Sequence, residues 1–289
     1  MKPTSHYLRC AGLEMHFMDW ASALPGEPRG TVLAWHGQAR TGRDMDELAE
    51  YLATRGWRVI CPDTIGRGLS QWSAKPAEEY QLSFYARTGA DLLDQLGVGR
   101  VHWVGTSMGG AIGIVAAAGV LRGRVASLVL NDTAPQVAQA AIERIKAYAG
   151  NPPAFATVGE LEAFYRQAYK PFGFLTDAQW RRLTETSTRR LPDGRVTPHY
   201  DPAMVQQFVL HPNDYLRWAE YDSLNIPMLC LRGEHSDLVL RETVDQMRLR
   251  GPGAKGLLQA VEVADCGHAP ALNVAGQLEL VSGFIEAVV

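Results

Sequence analysis

Gly105-Thr106-Ser107-Met108-Gly109-Gly110 is the stretch whose reading decides the fold. Before it, Arg100-Val101-His102-Trp103-Val104 reads as a buried strand. After it, Ala111-Ile112-Gly113-Ile114-Val115-Ala116-Ala117-Ala118 reads as a buried helix. A serine between glycines on a sharp strand-to-helix turn is the nucleophile-elbow pattern, G-x-S-x-G. Such a turn strains the serine backbone and lifts its hydroxyl above the sheet edge. Glycines on either side let strand and helix approach without a Cβ clash. The helix start also aims unpaired N–H groups at the space where an oxyanion would form. Ser107 is therefore the candidate nucleophile.

Working outward, strands and helices alternate on both sides of the elbow. A loose alternation over residues 7–20 predicts a pair of antiparallel edge strands, and Thr31-Val32-Leu33-Ala34-Trp35 a short buried one. Thr41-Gly42-Arg43-Asp44 resembles a capping box ahead of a helix carrying Met45, Leu48, Ala49 and Leu52. Further strands are expected at 58–62, 125–130, 226–231 and 258–263. Helices are expected at 82–96, at 241–250 and from 273 to Val289. Apolar strands alternating with helices predict a mostly parallel sheet covered on both faces. The rhythm breaks between Thr133 and Leu224, where aromatic, helix-like patches are interrupted by Pro152-Pro153 and Pro192-Asp193-Gly194. Because strands resume afterwards, residues 133–224 read as an inserted helical lid on a core made of 1–132 and 225–289.

A serine hydroxyl needs a general base, and the base needs an orienting carboxylate. Past the elbow stand His199, His211, His235 and His268. His268 is the preferred base because its glycine-containing loop, Asp265-Cys266-Gly267-His268, follows the last strand and can reach over the strand tips. Asp237, in Gly233-Glu234-His235-Ser236-Asp237 directly after a strand, is the preferred acid. Glu234 and Asp132 are rivals for that role, and Asp265 is placed to point away. The N–H groups of Gln38 and Met108 are the candidate oxyanion donors, with their side chains expected along an acyl pocket. His36 is read as a brace for its turn. Arg40, Arg43 and Arg67 are read as loop braces before substrate ligands.

These features in order resemble the α/β-hydrolase superfamily, in its lidded serine esterase-like branch: His36-Gly37, the Asp63–Ser70 loop, the elbow, Arg232-Gly233 through Asp237, and Gly267-His268. The resemblance implies an α/β-hydrolase fold with an eight-stranded, mostly parallel sheet and an inserted lid. It also implies a Ser107–His268–Asp237 triad working through an acyl-enzyme, with no cofactor and no metal. The expected activity is cleavage of carboxylic esters of small to medium acyl substrates. Alternatives are a C–C bond hydrolase of ring-cleavage diketones, a lactonase or a thioesterase and, in a different class, a non-catalytic ligand-binding protein on the same scaffold.

Composition narrows the partners. The 289 residues carry 28 basic and 31 acidic side chains, a net charge of −3, which gives no footprint for nucleic acid. No apolar run is long enough to span a bilayer, and the start lacks the apolar core of a signal peptide. The four cysteines, Cys10, Cys61, Cys230 and Cys266, are scattered. A cytoplasmic protein with reduced thiols and a small-molecule ester-like substrate is expected.

Overall fold

Alternation within the strands builds the molecule. In a strand, neighbouring side chains face opposite sides of the sheet. Leu33 and Trp35 therefore join one core with Val101, Trp103, Leu128 and Cys230, while Val32 and Ala34 join a second with Val59, Val104, Val129 and Leu229. Both cores are buried, and each is covered by a layer of helices. The first face is covered by the helices Leu82–Gln95 and Met108–Ala118, the second by Asp46–Thr54 and Ala275–Glu286.

The structure, a computed structural model, describes residues 2–288. Its main sheet has eight strands: β1 (Thr4–Cys10), β2 (Leu13–Trp20), β3 (Thr31–Trp35), β4 (Arg58–Pro62), β5 (Val101–Thr106), β6 (Val125–Asn131), β9 (Met228–Gly233) and β10 (Leu258–Val263). They lie in the order β1-β2-β4-β3-β5-β6-β9-β10. β1 and β2 pair antiparallel at one edge, β2 pairs antiparallel with β4, and the pairs from β4 to β10 are parallel. This is the α/β-hydrolase fold. β5 and β6 sit side by side near the middle, and β9 follows β6 directly. The ends of β5, β6 and β9 thus form one ridge.

Between β6 and β9 the chain leaves the sheet. It forms the helices Gln139–Ala149, Val158–Ala168 and Asp177–Thr186, several shorter turns, and a hairpin of β7 (Thr188–Arg190) and β8 (Val196–Pro198). The hairpin differs from the all-helical expectation. Its strands are three residues each, too short for a period-two pattern to register, and Pro192-Asp193-Gly194 is the turn that joins them. This segment has a small core of its own around Leu161, Tyr165, Trp180, Leu183 and Val196. Two helix starts in it are true capping boxes, on Thr157 and Thr176. The one expected at Thr41 is not formed: Thr41 precedes a 3₁₀ turn, makes no side-chain cap, and its hydroxyl has no partner. The last helix spans Ala275–Glu286, shorter than expected, and Val289 lies outside the described residues.

The inserted segment is tied to the core by the chain that carries His268. Gly267 N–H donates to Pro171 O at 2.7 Å and Ala271 N–H to Phe172 O at 3.1 Å. Elsewhere Gln179 Nε2 donates to Glu47 at 3.0 Å, and Arg182 pairs with the same carboxylate. All four cysteines are buried and unbridged. No helix among the described residues is long and apolar enough to cross a membrane.

Candidate active site

Ser107 closes β5 and opens the helix Met108–Ala118 with φ +52° and ψ −118°. That is a left-handed region an L-residue enters at a cost, one that the surrounding structure must impose. The packing that imposes it is tight. A Cβ on Gly105 would lie 2.2 Å from Gly109 C, and a Cβ on Gly109 would lie 2.3 Å from Trp35 O. No side chain fits at either point, so β5, the helix and the end of β3 are locked together by backbone contact.

The turn after β3 stands against the serine. A Cβ on Gly37 would lie 3.6 Å from Ser107 Cβ. Neither Gln38 N–H nor Met108 N–H donates a hydrogen bond to any of the described residues. Arg67, fully buried, ties the two together. Its Nε donates to Gln38 O at 3.0 Å, and its Nη2 approaches Met108 Sδ at 3.8 Å. Its Nη1 donates to Tyr85 Oη at 2.6 Å and to Ile65 O at 2.9 Å. Arg67 is thus a brace, as its place in the 63–70 loop suggests. Gln38 lines the cavity, its amide held by Gln207 and Tyr215. The Met108 side chain does not line it; it is buried against Arg67, because the helix start turns it inward.

His36 braces the same turn. Its Nδ1–H donates to Gly37 O at 2.7 Å and its Nε2 accepts the Thr64 N–H at 2.9 Å. Burial pushes its pKa down to about 4, and nearby Asp63 only partly offsets this. The ring is neutral, as an acceptor nitrogen requires.

His268 sits in the loop after β10, and its Nδ1 is 2.6 Å from a carboxylate oxygen. That carboxylate belongs to Asp132, not Asp237. Asp132 lies at the tip of β6 with φ +50° and is fully buried. Its Oδ1 accepts the Gly233 N–H at 2.8 Å; its Oδ2 accepts the Ser236 hydroxyl at 2.7 Å as well as the histidine. Asp237 is about half exposed and pairs with Arg144 of the helix Gln139–Ala149. The structure does not bring the expected Asp237 to the histidine. Both residues fall between serine and histidine in the chain, so chain order could not separate them. What separates them is that β6 is hydrogen-bonded to β9, so its tip lies under the histidine loop, whereas Asp237 has already turned toward the rim.

The other rivals are accounted for. Glu234 accepts the Asp265 N–H at 3.1 Å, and Asp265 has φ +58° in that turn. His235 is exposed beside Glu234, His211 is bonded to Ala77 O, and His199 is part of the segment over the 63–70 loop. Ser236 went unremarked in the sequence although it holds the acid. Its hydroxyl also accepts the N–H groups of Leu238 and Val239 at 3.3 and 3.1 Å. Asn131 likewise pins the histidine loop, donating to Thr106 Oγ1 at 2.9 Å and to Pro270 O at 2.8 Å.

Ser107 and His268 open on one cavity of about 700 Å³, roofed by the segment between β6 and β9. Phe164, Phe172 and Leu175 give it apolar walls. Not every aromatic of that segment takes part: Trp180 packs in its small core, Phe208 packs in the main core, and Phe174 is exposed. Arg40 and Arg43 line the cavity too, each paired with a carboxylate, Asp44 and Asp46. Among the described residues no group of three or more His, Cys, Asp or Glu could hold a metal ion.

A serine–histidine–aspartate line with both of its hydrogen bonds formed lies at the β1 edge of the sheet. Ser5 Oγ is 2.9 Å from His16 Nε2, and His16 Nδ1 is 2.8 Å from Asp63 Oδ2. Asp63 also accepts the N–H groups of Gly42 and Leu69 at 2.6 and 2.9 Å. Burial raises the Asp63 pKa, but the His16 bond and charge, together with His36 and the Leu69 N–H, outweigh it, and the net shift is downward.

A family model for the alpha/beta hydrolase fold matches residues 30–273. A 3-hydroxybutyrate-oligomer hydrolase of Cupriavidus necator is 37% identical over 98% of this chain and 97% of its own length. A crystal structure of an alpha/beta hydrolase from Novosphingobium aromaticivorans superposes with a TM-score of 0.81 at 29% identity, covering 98% of both chains. That of E-2-(acetamidomethylene)succinate hydrolase gives 0.83 at 23% identity over 99% of this chain and 100% of its own, a likeness of fold.

Proposed function

The chain belongs to the α/β-hydrolase family, and on that premise we propose that it is a serine hydrolase of carboxylic esters, acting on short hydroxyacyl oligomers through Ser107, His268 and Asp132. The observation that carries this reading is that Ser107, strained at the elbow, and His268, held by Asp132, open on the same cavity.

In this reading His268 Nε2 removes the Ser107 proton as Oγ attacks the ester carbonyl. Asp132 holds the ring through Nδ1 and stabilises the imidazolium. The carbonyl oxygen, now carrying the negative charge, takes the N–H groups of Gln38 and Met108. Loss of one such donor typically costs about 3 kcal/mol of barrier. His268 then gives the proton to the leaving alcohol, and the acyl group stays on Ser107. A water, deprotonated by His268, attacks the acyl-enzyme and frees the acid, and the proton returns to Ser107. Residues 133–224 serve as the lid that encloses the substrate. The relative from Cupriavidus necator supports the substrate class, because its name describes hydrolysis of an oligoester.

The test has two arms. A fluorophosphonate probe is expected to form one adduct, on Ser107. A panel of p-nitrophenyl acetate, p-nitrophenyl butyrate, 3-hydroxybutyrate dimer and trimer, and a vinylogous diketone is expected to show turnover of the esters and not of the diketone. An adduct elsewhere, or turnover of the diketone alone, refutes the reading.

A further inference from the structure

The cavity carries more hydrogen-bond donors than the protein itself satisfies. Arg40 is almost fully buried in its wall. Its Nε and Nη2 each donate to Asp44 at 2.7 Å, while its buried Nη1 has no partner among the described residues. The guanidinium lies 4.7 Å from the Tyr169 ring centre and 5.5 Å from that of Tyr165. The Tyr165 hydroxyl is used, donating to Ser187 O at 3.0 Å. Tyr169 and Tyr200 line the cavity, and neither hydroxyl has a hydrogen-bond partner among the described residues. A buried donor left unpaired costs free energy that a ligand acceptor can recover.

Position and charge say what kind of acceptor fits. A Cβ on Gly37 would stand 3.6 Å from Ser107 Cβ and 3.9 Å from Arg40 Cγ, so the arginine stem is one residue's width from the nucleophile. Its charge is already matched by Asp44, and the neighbouring arginines Arg43 and Arg182 are matched by Asp46 and Glu47. Donors without net charge favour a neutral oxygen over a second carboxylate, whose desolvation nothing there would offset.

We propose that Arg40, Tyr169 and Tyr200 form a subsite for a neutral acceptor on the acyl chain, the ester carbonyl of the neighbouring repeat in a hydroxyacyl oligomer. The subsite deepens the ester-hydrolase reading and rests on it. It accounts for discrimination between an oligoester and a plain fatty acyl ester, which the triad cannot make.

Two substrates with the same leaving group test it: p-nitrophenyl 3-acetoxybutyrate and its all-carbon counterpart, p-nitrophenyl 3,5-dimethylhexanoate. The wild-type protein is expected to prefer the first by about tenfold or more in kcat/KM, since a site built to bond an oxygen rejects the analogue lacking it. Arg40→Met is expected to bring the ratio close to one, and Tyr169→Phe, which removes a single hydroxyl, to lower it about threefold. General damage to the active site changes both rates together and leaves the ratio alone. No preference in the wild type, or a preference that survives both substitutions, overturns the subsite while leaving ester hydrolysis standing. Turnover of neither ester removes the parent reading and the subsite with it.

Discussion

Ser107–His268–Asp132 and Ser5–His16–Asp63 use the same three residue types, the first near the middle of the sheet and the second at its β1 edge. In both, a histidine nitrogen is within 3 Å of a buried carboxylate. In the second, even the serine–histidine bond is formed, at 2.9 Å. The surroundings differ. Ser5 lies within the edge strand β1, opposite Met18, in regular backbone and outside the cavity. Ser107 sits at φ +52° at a helix start, beside two unused N–H groups, on a cavity wall. A serine–histidine–aspartate line is therefore only the proton-handling half of a catalytic site. Donors placed for a developing oxyanion and a space that holds substrate supply the other half. At the β1 edge the same line fastens β2 to the 63–70 loop, and Asp63 extends the tie to Gly42.

The comparison breaks most visibly at the serines. Ser107→Ala is expected to lower kcat on p-nitrophenyl butyrate by about 10⁴-fold or more and to abolish phosphonate labelling. Ser5→Ala is expected to stay within about twofold of wild type. A phosphonate adduct on Ser5 would make the outer line the reactive one.

The carboxylates come next. Asp132→Asn should cost roughly 10³–10⁴-fold in kcat, because an amide no longer fixes the histidine tautomer or stabilises its charge. Asp237→Asn should cost no more than a few-fold, since an exposed ion pair contributes about 0–1 kcal/mol. Steady-state kinetics of the two variants decide between them, and the reverse ranking would return the acid role to Asp237. Ser236→Ala removes one donor to the acid and is expected to cost about tenfold in kcat, with a change in the pH–rate profile that a merely loosened loop would not give. The smallest effect on catalysis is expected at the outer line. His16→Gln should lower stability by about 1–3 kcal/mol, read as a fall in Tm, with kcat within about twofold.

How much of this was legible in the sequence depends on how local each feature is. The elbow was legible because its pattern is contiguous: strand, glycine, serine, glycine and helix all fall within residues 100–118. The edge hairpin β1–β2 is legible from its loose apolar alternation, and the mostly parallel sheet from apolar strands alternating with helices. The His36 and Arg67 braces were legible because buried polar groups at strand ends must find backbone partners. On sequence alone Asp132 ranks below Asp237, because the choice is not local. It depends on β6 lying next to β9 and on a left-handed backbone at 132 that turns the carboxylate toward the histidine loop. Ser236 was hidden for the same reason, since its partner is 104 positions away. The β7–β8 hairpin escaped because three residues per strand carry too little pattern.

The seat of Asp132 on β6 leaves the Asp237 side chain free of the histidine. Ser107 and Asp132 both stand at the tips of neighbouring strands inside the sheet, and the turn after β9 gives Asp132 only a hydroxyl and a backbone N–H before reaching the rim at Asp237. Exchanges of the side chain at 237 can therefore reshape what the entrance admits while the contact between His268 and Asp132 stays intact. An engineer seeking altered selectivity would start at that rim.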